Sequence, residues 1–146
     1  MTSALRSSDT GAVVTFLLGK VKQGNTASDV AQFVMTSCFE IDKALSPVLG
    51  RRGLEGMFKR SMHLASVTQP WLNASVDGFD LSADLTEIQG VLKRQSPELA
   101  ARGGGLFLEQ FHGLLTTLVG PSLTERLLRS VWTTFLSGPS AQDSPE

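Results

Sequence analysis

Three side chains in this sequence of 146 residues have the chemistry for proton, phosphoryl or metal work near neutral pH: Cys38, His63 and His112. A histidine can serve as a general base, accept a phosphoryl group or ligate a metal, but each role needs a partner. His63 lies in KRSMHLAS, with no Asp, Glu, Cys or second His one helical turn away. It reads as a boundary histidine that half packs against its own helix. Cys38 sits among Val34, Phe39 and Ile41. A cysteine in such company behaves as a small apolar residue rather than a nucleophile. One cysteine and two scattered histidines assemble no metal-ligand set by spacing. No paired carboxylates, nucleophile elbow or phosphate-binding loop is present. The expectation is a non-enzymatic chain with no cofactor and no metal.

His112 falls in EQFHGLLTTLVG, beside Leu108, Leu115 and Val119. That stretch resembles the acceptor motif of histidine phosphotransfer domains, which are four-helix bundles. Leu114 and Thr116 fit the motif. Position 115 is leucine where the motif has a charge-balancing lysine, and Gly113 is misplaced. The resemblance covers about ten residues and implies phosphotransfer at His112. Against a catalytic role, neither histidine is expected to have a carboxylate oriented on it from the adjacent turn.

Two further features point to partners. Arg51 and Arg52, with Lys59 and Arg60, form a local basic cluster that could receive an acidic partner or a phosphate. Such clusters are also common as solvated helix ends. Trp71 heads an apolar connection, PWLNASVDGFDLS, whose Leu72, Val76 and Phe79 are too apolar to leave in water. Trp71 is expected to be substantially buried, plugging one end of the fold.

The bulk numbers set the class. With 13 basic and 14 acidic residues the charges nearly cancel, and no basic excess suggests nucleic acid. A lone cysteine excludes an internal disulfide and fits a reducing compartment. The start MTSALRSSDTG lacks the pattern of a signal peptide, and no apolar run approaches the ~20 residues that span a bilayer. The expectation is a cytoplasmic protein without membrane or nucleic-acid partners.

Stepping from Ala44 to Pro70 and again from Leu114 to Pro139, the chain reads twice. Leu45 matches Leu115 and Gly50 matches Gly120. With a one-residue deletion after the glycine, Leu54 matches Leu123, Phe58 matches Leu127 and His63 matches Trp132. An offset near 70 residues marks two copies of one helical unit, about 10–70 and 82–139. Residues 1–9 and 139–146 read as flexible tails of a single domain, 1–146.

Apolar residues recur at helical spacing throughout, with no alternating strand. The first helix covers about Thr10 to Lys22 and stops at QGN. Thr26 caps a long second helix whose stripe is Val30, Val34, Ile41, Leu45 and Val48, ended by Gly50. A third runs from about Gly53 to Thr68 on Leu54, Phe58, Ser61 and Ala65. In the second copy a short helix carries Leu85, Ile88, Val91 and Leu92. Ser96-Pro97-Glu98 opens a long helix to Val119. Ser122-Leu123-Thr124-Glu125 reads as a capping box for the last. Gly103-Gly104-Gly105 conflicts with a helix, costing on the order of 2–3 kcal/mol against alanine. A close packing contact or a kink is the expected reason, and a phosphate cradle the minor alternative. Glu55 with Lys59, and Glu125 with Arg129, read as surface ion pairs.

The expected fold is all-α: a pseudo-twofold four-helix bundle from a duplicated helical hairpin, with two shorter flanking helices. The expected function is protein interaction or regulation, with a protein partner or homo-oligomer. The alternatives are a small-ligand sensor with a pocket between the hairpins and a phosphotransfer-like module. The candidate partner or ligand residues are Arg51, Arg52, Arg60, His63, Trp71 and His112.

Overall fold

The computed structural model describes residues 12–72, 81–129 and 131, and they form an all-helical protein with no strand among them. Helix α1 is Ala12–Lys22, α2 is Ala27–Thr68, α3 is Leu81–Lys93 and α4 is Pro97–Val119. A single 3-10 turn, Pro70–Leu72, follows α2. A fifth helix, α5, covers 121–129, and Val131 is still helical. The tails 1–9 and 139–146, and Val76 and Phe79 of the apolar connection, lie outside the described residues.

Local chemistry places the helix starts. Thr26 caps α2: the Asp29 N–H donates to Thr26 Oγ1 at 3.1 Å, and the Thr26 N–H donates to Asp29 Oδ2 at 2.9 Å. Two donors that the first turn leaves without helical partners are thereby satisfied. Ser96 does the same for α4, accepting the Leu99 N–H at 3.2 Å, with Pro97 in the first turn.

α2 is two helices in series. Gly50 holds φ 79° and ψ 157°, outside the helical region, and Gly120 holds φ 92° and ψ 157° after α4. Positive φ is cheap for glycine and strained for other residues, so these two positions break the chain direction. Val48, expected on the buried stripe, is 52 % exposed. It lies in the last turn before the break, where Leu45 and Leu49 rather than Val48 face the core.

The start of α5 differs from the expected box. The Thr124 N–H donates to the Gly120 carbonyl at 3.1 Å, so the helix begins at 121 rather than after Ser122. Pro121 takes the first helical position, where its fixed φ suits the helix and its missing N–H costs nothing.

Burial recurs at a spacing of 70. Val30, Ala31, Val34, Cys38, Ile41 and Leu45 are buried in α2, and so are Ala100, Ala101, Gly104, Leu108, Phe111 and Leu115 in α4. Past the glycines the spacing holds: Leu54, Phe58 and Ser61 correspond to Thr124, Leu128 and Val131, all buried. Leu123 is exposed and Leu127 partly so. Burial past the glycines thus follows a spacing of 70 rather than the 69 that the one-residue deletion gives. The turns recur too: Gly24 N–H to Val21 O at 2.9 Å, and Arg94 N–H to Val91 O at 3.2 Å.

α2 lies mainly on α4, α1 on α4 and α3 on α2. One continuous apolar core joins them, centred on Phe58, Phe107 and Phe111. The Phe58 ring stacks on Phe111 with centroids 4.6 Å apart and lies tilted 6.0 Å from Phe107.

Candidate functional site

The second segment of α2, residues 51–68, turns Leu54, Phe58, Ser61 and Ala65 inward. Its opposite side presents Arg52, Lys59, Arg60 and His63, all exposed. Positions 52, 59 and 63 share one helical face, and Arg60 flanks it. Glu55, one turn from both Arg52 and Lys59, is the one carboxylate beside that face. His63 was expected to half pack, but its ring is exposed, because the apolar arc that would cover it lies on the other side.

Arg51 stands apart from this cluster. Its Nε lies 3.4 Å from Glu55 Oε2 and its Nη1 lies 3.7 Å from Asp42 Oδ1. Asp42 precedes the Gly50 break and Glu55 follows it, so one guanidinium ties the two segments of α2 together. At 3.7 Å the contact with Asp42 is an ion pair but too long for a hydrogen bond, and Asp42 Oδ1 has no other partner. Arg51 braces the break through these two carboxylates while its side chain stays 56 % exposed.

His112 is half-buried on α4, far along the chain from His63. Burial pushes its pKa down from the ordinary imidazole value of 6.5 by desolvating the charged form. Contrary to expectation, a carboxylate does stand one turn away: Glu109, at the i, i+3 spacing. Glu109 Oε2 also accepts the backbone N–H of Val14 at 2.9 Å, in the first turn of α1. A carboxylate at that end favourably meets the positive pole of the helix dipole.

The triple glycine is a packing saddle inside an unbroken α4. A Cβ on Gly103 would strike the Trp71 ring. One on Gly104 would lie 2.6 Å from Val34 Cγ2, and one on Gly105 2.8 Å from Val14 Cα. Three successive residues thus receive the turn after α2, the long helix α2 and the start of α1. A loop that cradles phosphate does not exist here, because all three residues are helical and buried.

Trp71 is partly buried and packed against the core, and its Nε1–H donates to Gln69 Oε1 at 2.9 Å. Cys38 is fully buried, and burial alone raises its thiol pKa far above the usual range. At neutral pH it stays protonated and unreactive. Among the described residues no group of three or more His, Cys, Asp or Glu could hold a metal ion. No helix there is long and apolar enough to cross a membrane.

The candidates therefore fall into separate places. Arg52, Arg60 and His63 share an exposed face, Arg51 is engaged beside it, His112 lies on α4 and Trp71 on the glycine saddle. Two buried hydroxyls, Ser37 and Thr124, are absent from the sequence-derived candidates. Nothing in their immediate sequence sets them apart from solvated helix residues. No family model, curated protein or solved structure matches this chain.

Proposed function

We propose that this chain is a non-enzymatic helical interaction or regulatory protein of the cytoplasm, built as a pseudo-twofold pair of helical hairpins. It docks an acidic protein partner on the solvent face of α2's second segment. The observation that carries this is the exposed run of Arg52, Lys59, Arg60 and His63, with Glu55 the one carboxylate in residues 51–68. The molecule as a whole is nearly neutral, so this is a local concentration of charge and not the consequence of a basic chain. Rim charges of this kind steer encounter and select partners more than they add affinity. The neighbouring carboxylate, Glu55, is engaged by Arg51 at 3.4 Å, and basic side chains outnumber it on that side of the helix.

The recurrence at 70 residues of cap, turn, glycine break and buried positions supports the paired-hairpin reading. In a pseudo-twofold arrangement α1 on α4 is the counterpart of α3 on α2.

The test is in-cell crosslinking of the full chain, compared with an Arg52→Glu/Arg60→Glu variant of unchanged helicity. The expected result is one acidic partner captured by the parent and lost with the variant, with salt-sensitive binding in vitro. Retention of that partner by the variant overturns the proposal. So does equal binding to a short single-stranded RNA, which would indicate general polyanion affinity. Light scattering separates a second copy of this chain from a different protein.

A further inference from the structure

Gly56 lies in the middle of the solvent face of α2's second segment. At about 100° per residue it stands opposite the buried stripe of Leu54, Phe58, Ser61 and Ala65. Arg52 is one turn before it and Arg60 one turn after it, and Lys59 and His63 complete the surround. Its backbone is helical, and a Cβ there would meet nothing within 4 Å. Neither a turn nor packing within the chain therefore requires this glycine. Gly103, Gly104 and Gly105 differ, because Trp71, Val34 and Val14 occupy the space of their missing side chains. A glycine inside a helix is nevertheless costly compared with alanine. Gly113 on α4 is equally open, but no arginine or lysine lies one turn to either side of it.

A missing side chain on a helix surface leaves a notch between the neighbouring ridges, where a second backbone can approach. Neither Arg52 nor Arg60 has an ion pair among the described residues. Both residues are exposed, and about 12 Å of helix separates them at 1.5 Å per residue. Val67 extends the same face one turn past His63 and is 69 % exposed. The one carboxylate nearby, Glu55, lies on the flank toward Arg51, which engages it at 3.4 Å. Charge therefore selects an acidic occupant, the notch a close backbone, and Val67 an apolar residue at one end. An extended segment pressed into the notch would bury amide groups against a helix whose own backbone groups are already paired. A helix satisfies its amides internally and repeats its side chains at the same pitch.

We propose, building on the acidic partner inferred above, that this partner is an α-helix lying along residues 52–67 with its closest approach at Gly56. It presents a small residue to the notch and a carboxylate one turn to either side. Those carboxylates pair with Arg52 and Arg60, whose forked donors suit them. An apolar side chain of the same helix covers Val67. The contact runs for about 22 Å, or roughly four turns of the partner.

The probe is a synthetic Ala-rich peptide of about four turns, held helical by a lactam bridge on its far face. It carries Glu one turn to either side of a central Ala and Leu near one end. A second peptide has Leu at the centre. Each is titrated with the full chain at low salt and followed by fluorescence anisotropy. The parent is expected to bind the Ala-centred peptide roughly tenfold more tightly, because the larger side chain holds the helices apart. Gly56→Leu should raise the thermal midpoint, since leucine is the better helix former at an open site, and yet bind the Ala-centred peptide roughly tenfold more weakly. Gly113→Ala should raise the midpoint with binding unchanged. Arg52→Glu/Arg60→Glu should abolish binding of both peptides. No binding by the parent, equal affinity for the two peptides, or parent-like binding by Gly56→Leu each overturn the helical partner. In those cases the acidic-partner reading still stands if charge reversal removes the partner crosslinked in cells. Undiminished peptide binding after charge reversal overturns both.

Discussion

The backbone N–H of Val14 donates to Glu109 Oε2 at 2.9 Å, across 95 residues of sequence. Four residues earlier on the same helix, Gly105 has no side chain where the Val14 backbone comes closest. α4 thus both makes room for the start of α1 and supplies an acceptor to one of its unpaired amides. Val13 and Leu17 add apolar burial on the same side. α1 is therefore held by a long-range cap combined with a close backbone approach.

Removing the cap should loosen α1 before anything else. Glu109→Ala is expected to cost about 1 kcal/mol, the usual worth of a helix cap. Glu109→Gln, which keeps a neutral acceptor, should cost less. Urea denaturation measures the global loss. Hydrogen exchange should show faster amides across residues 13–17 than in α4. A uniform change across the chain, or none in α1, would contradict the role assigned to Glu109.

Two glycines of α4 should respond oppositely to alanine. At Gly113 nothing lies within 4 Å of an added Cβ, and the site is exposed. Gly113→Ala should stabilise by about 0.5–1 kcal/mol through helix propensity. At Gly105 the same Cβ meets the Val14 backbone, which a rotamer change cannot move aside. Gly105→Ala should lose about 1–2 kcal/mol net, overpacking outweighing the propensity gain. Denaturant midpoints of the two variants decide the matter, and like signs would refute the packing account.

His112 predicts a pH dependence. Its folded pKa is depressed by burial, so between that value and about 6.5 the unfolded chain binds the proton and the folded one does not. The neutral ring's contribution to stability is fully present above about 6.5 and is lost as pH falls from there toward the folded pKa. His112→Gln should flatten the stability curve in that window. Thermal midpoints from pH 5 to 8 test this. A parent curve that rises on acidification would reverse the assignment.

The sequence was most legible where structure is local. Thr26 with Asp29, Ser96 with Pro97, and the glycines at 50 and 120 announce helix ends through their own backbones. Register past Gly120 was not legible in the same way. Leu123, Leu127 and Leu128 offer two overlapping apolar stripes, and composition favours the one that keeps Leu123 inside. The fold instead buries Thr124 and Leu128, because Pro121 starts the helix early and rotates the face. The carboxylate beside His112 was visible in EQFH, but its bond to Val14 depends on a contact between distant segments. Burial of Ser37 likewise comes from neighbours remote in sequence.

Trp71 and Gly103 should prove energetically coupled. The edge of the indole rests where a side chain at 103 would stand, while Nε1–H is satisfied by Gln69 at 2.9 Å. Trp71→Ala alone should cost about 2 kcal/mol, less than the ~3–5 kcal/mol of a fully buried tryptophan, because the ring is only partly covered. Gly103→Ala alone should destabilise, since the ring must be displaced to admit a methyl group. In the Trp71→Ala background the obstruction is gone, and the same alanine should be neutral or stabilising through helix propensity. A double-mutant cycle from denaturant midpoints then gives a coupling of about 1–3 kcal/mol between the two positions. Strict additivity would mean that the indole and residue 103 do not meet, and that the glycine at 103 has no packing role.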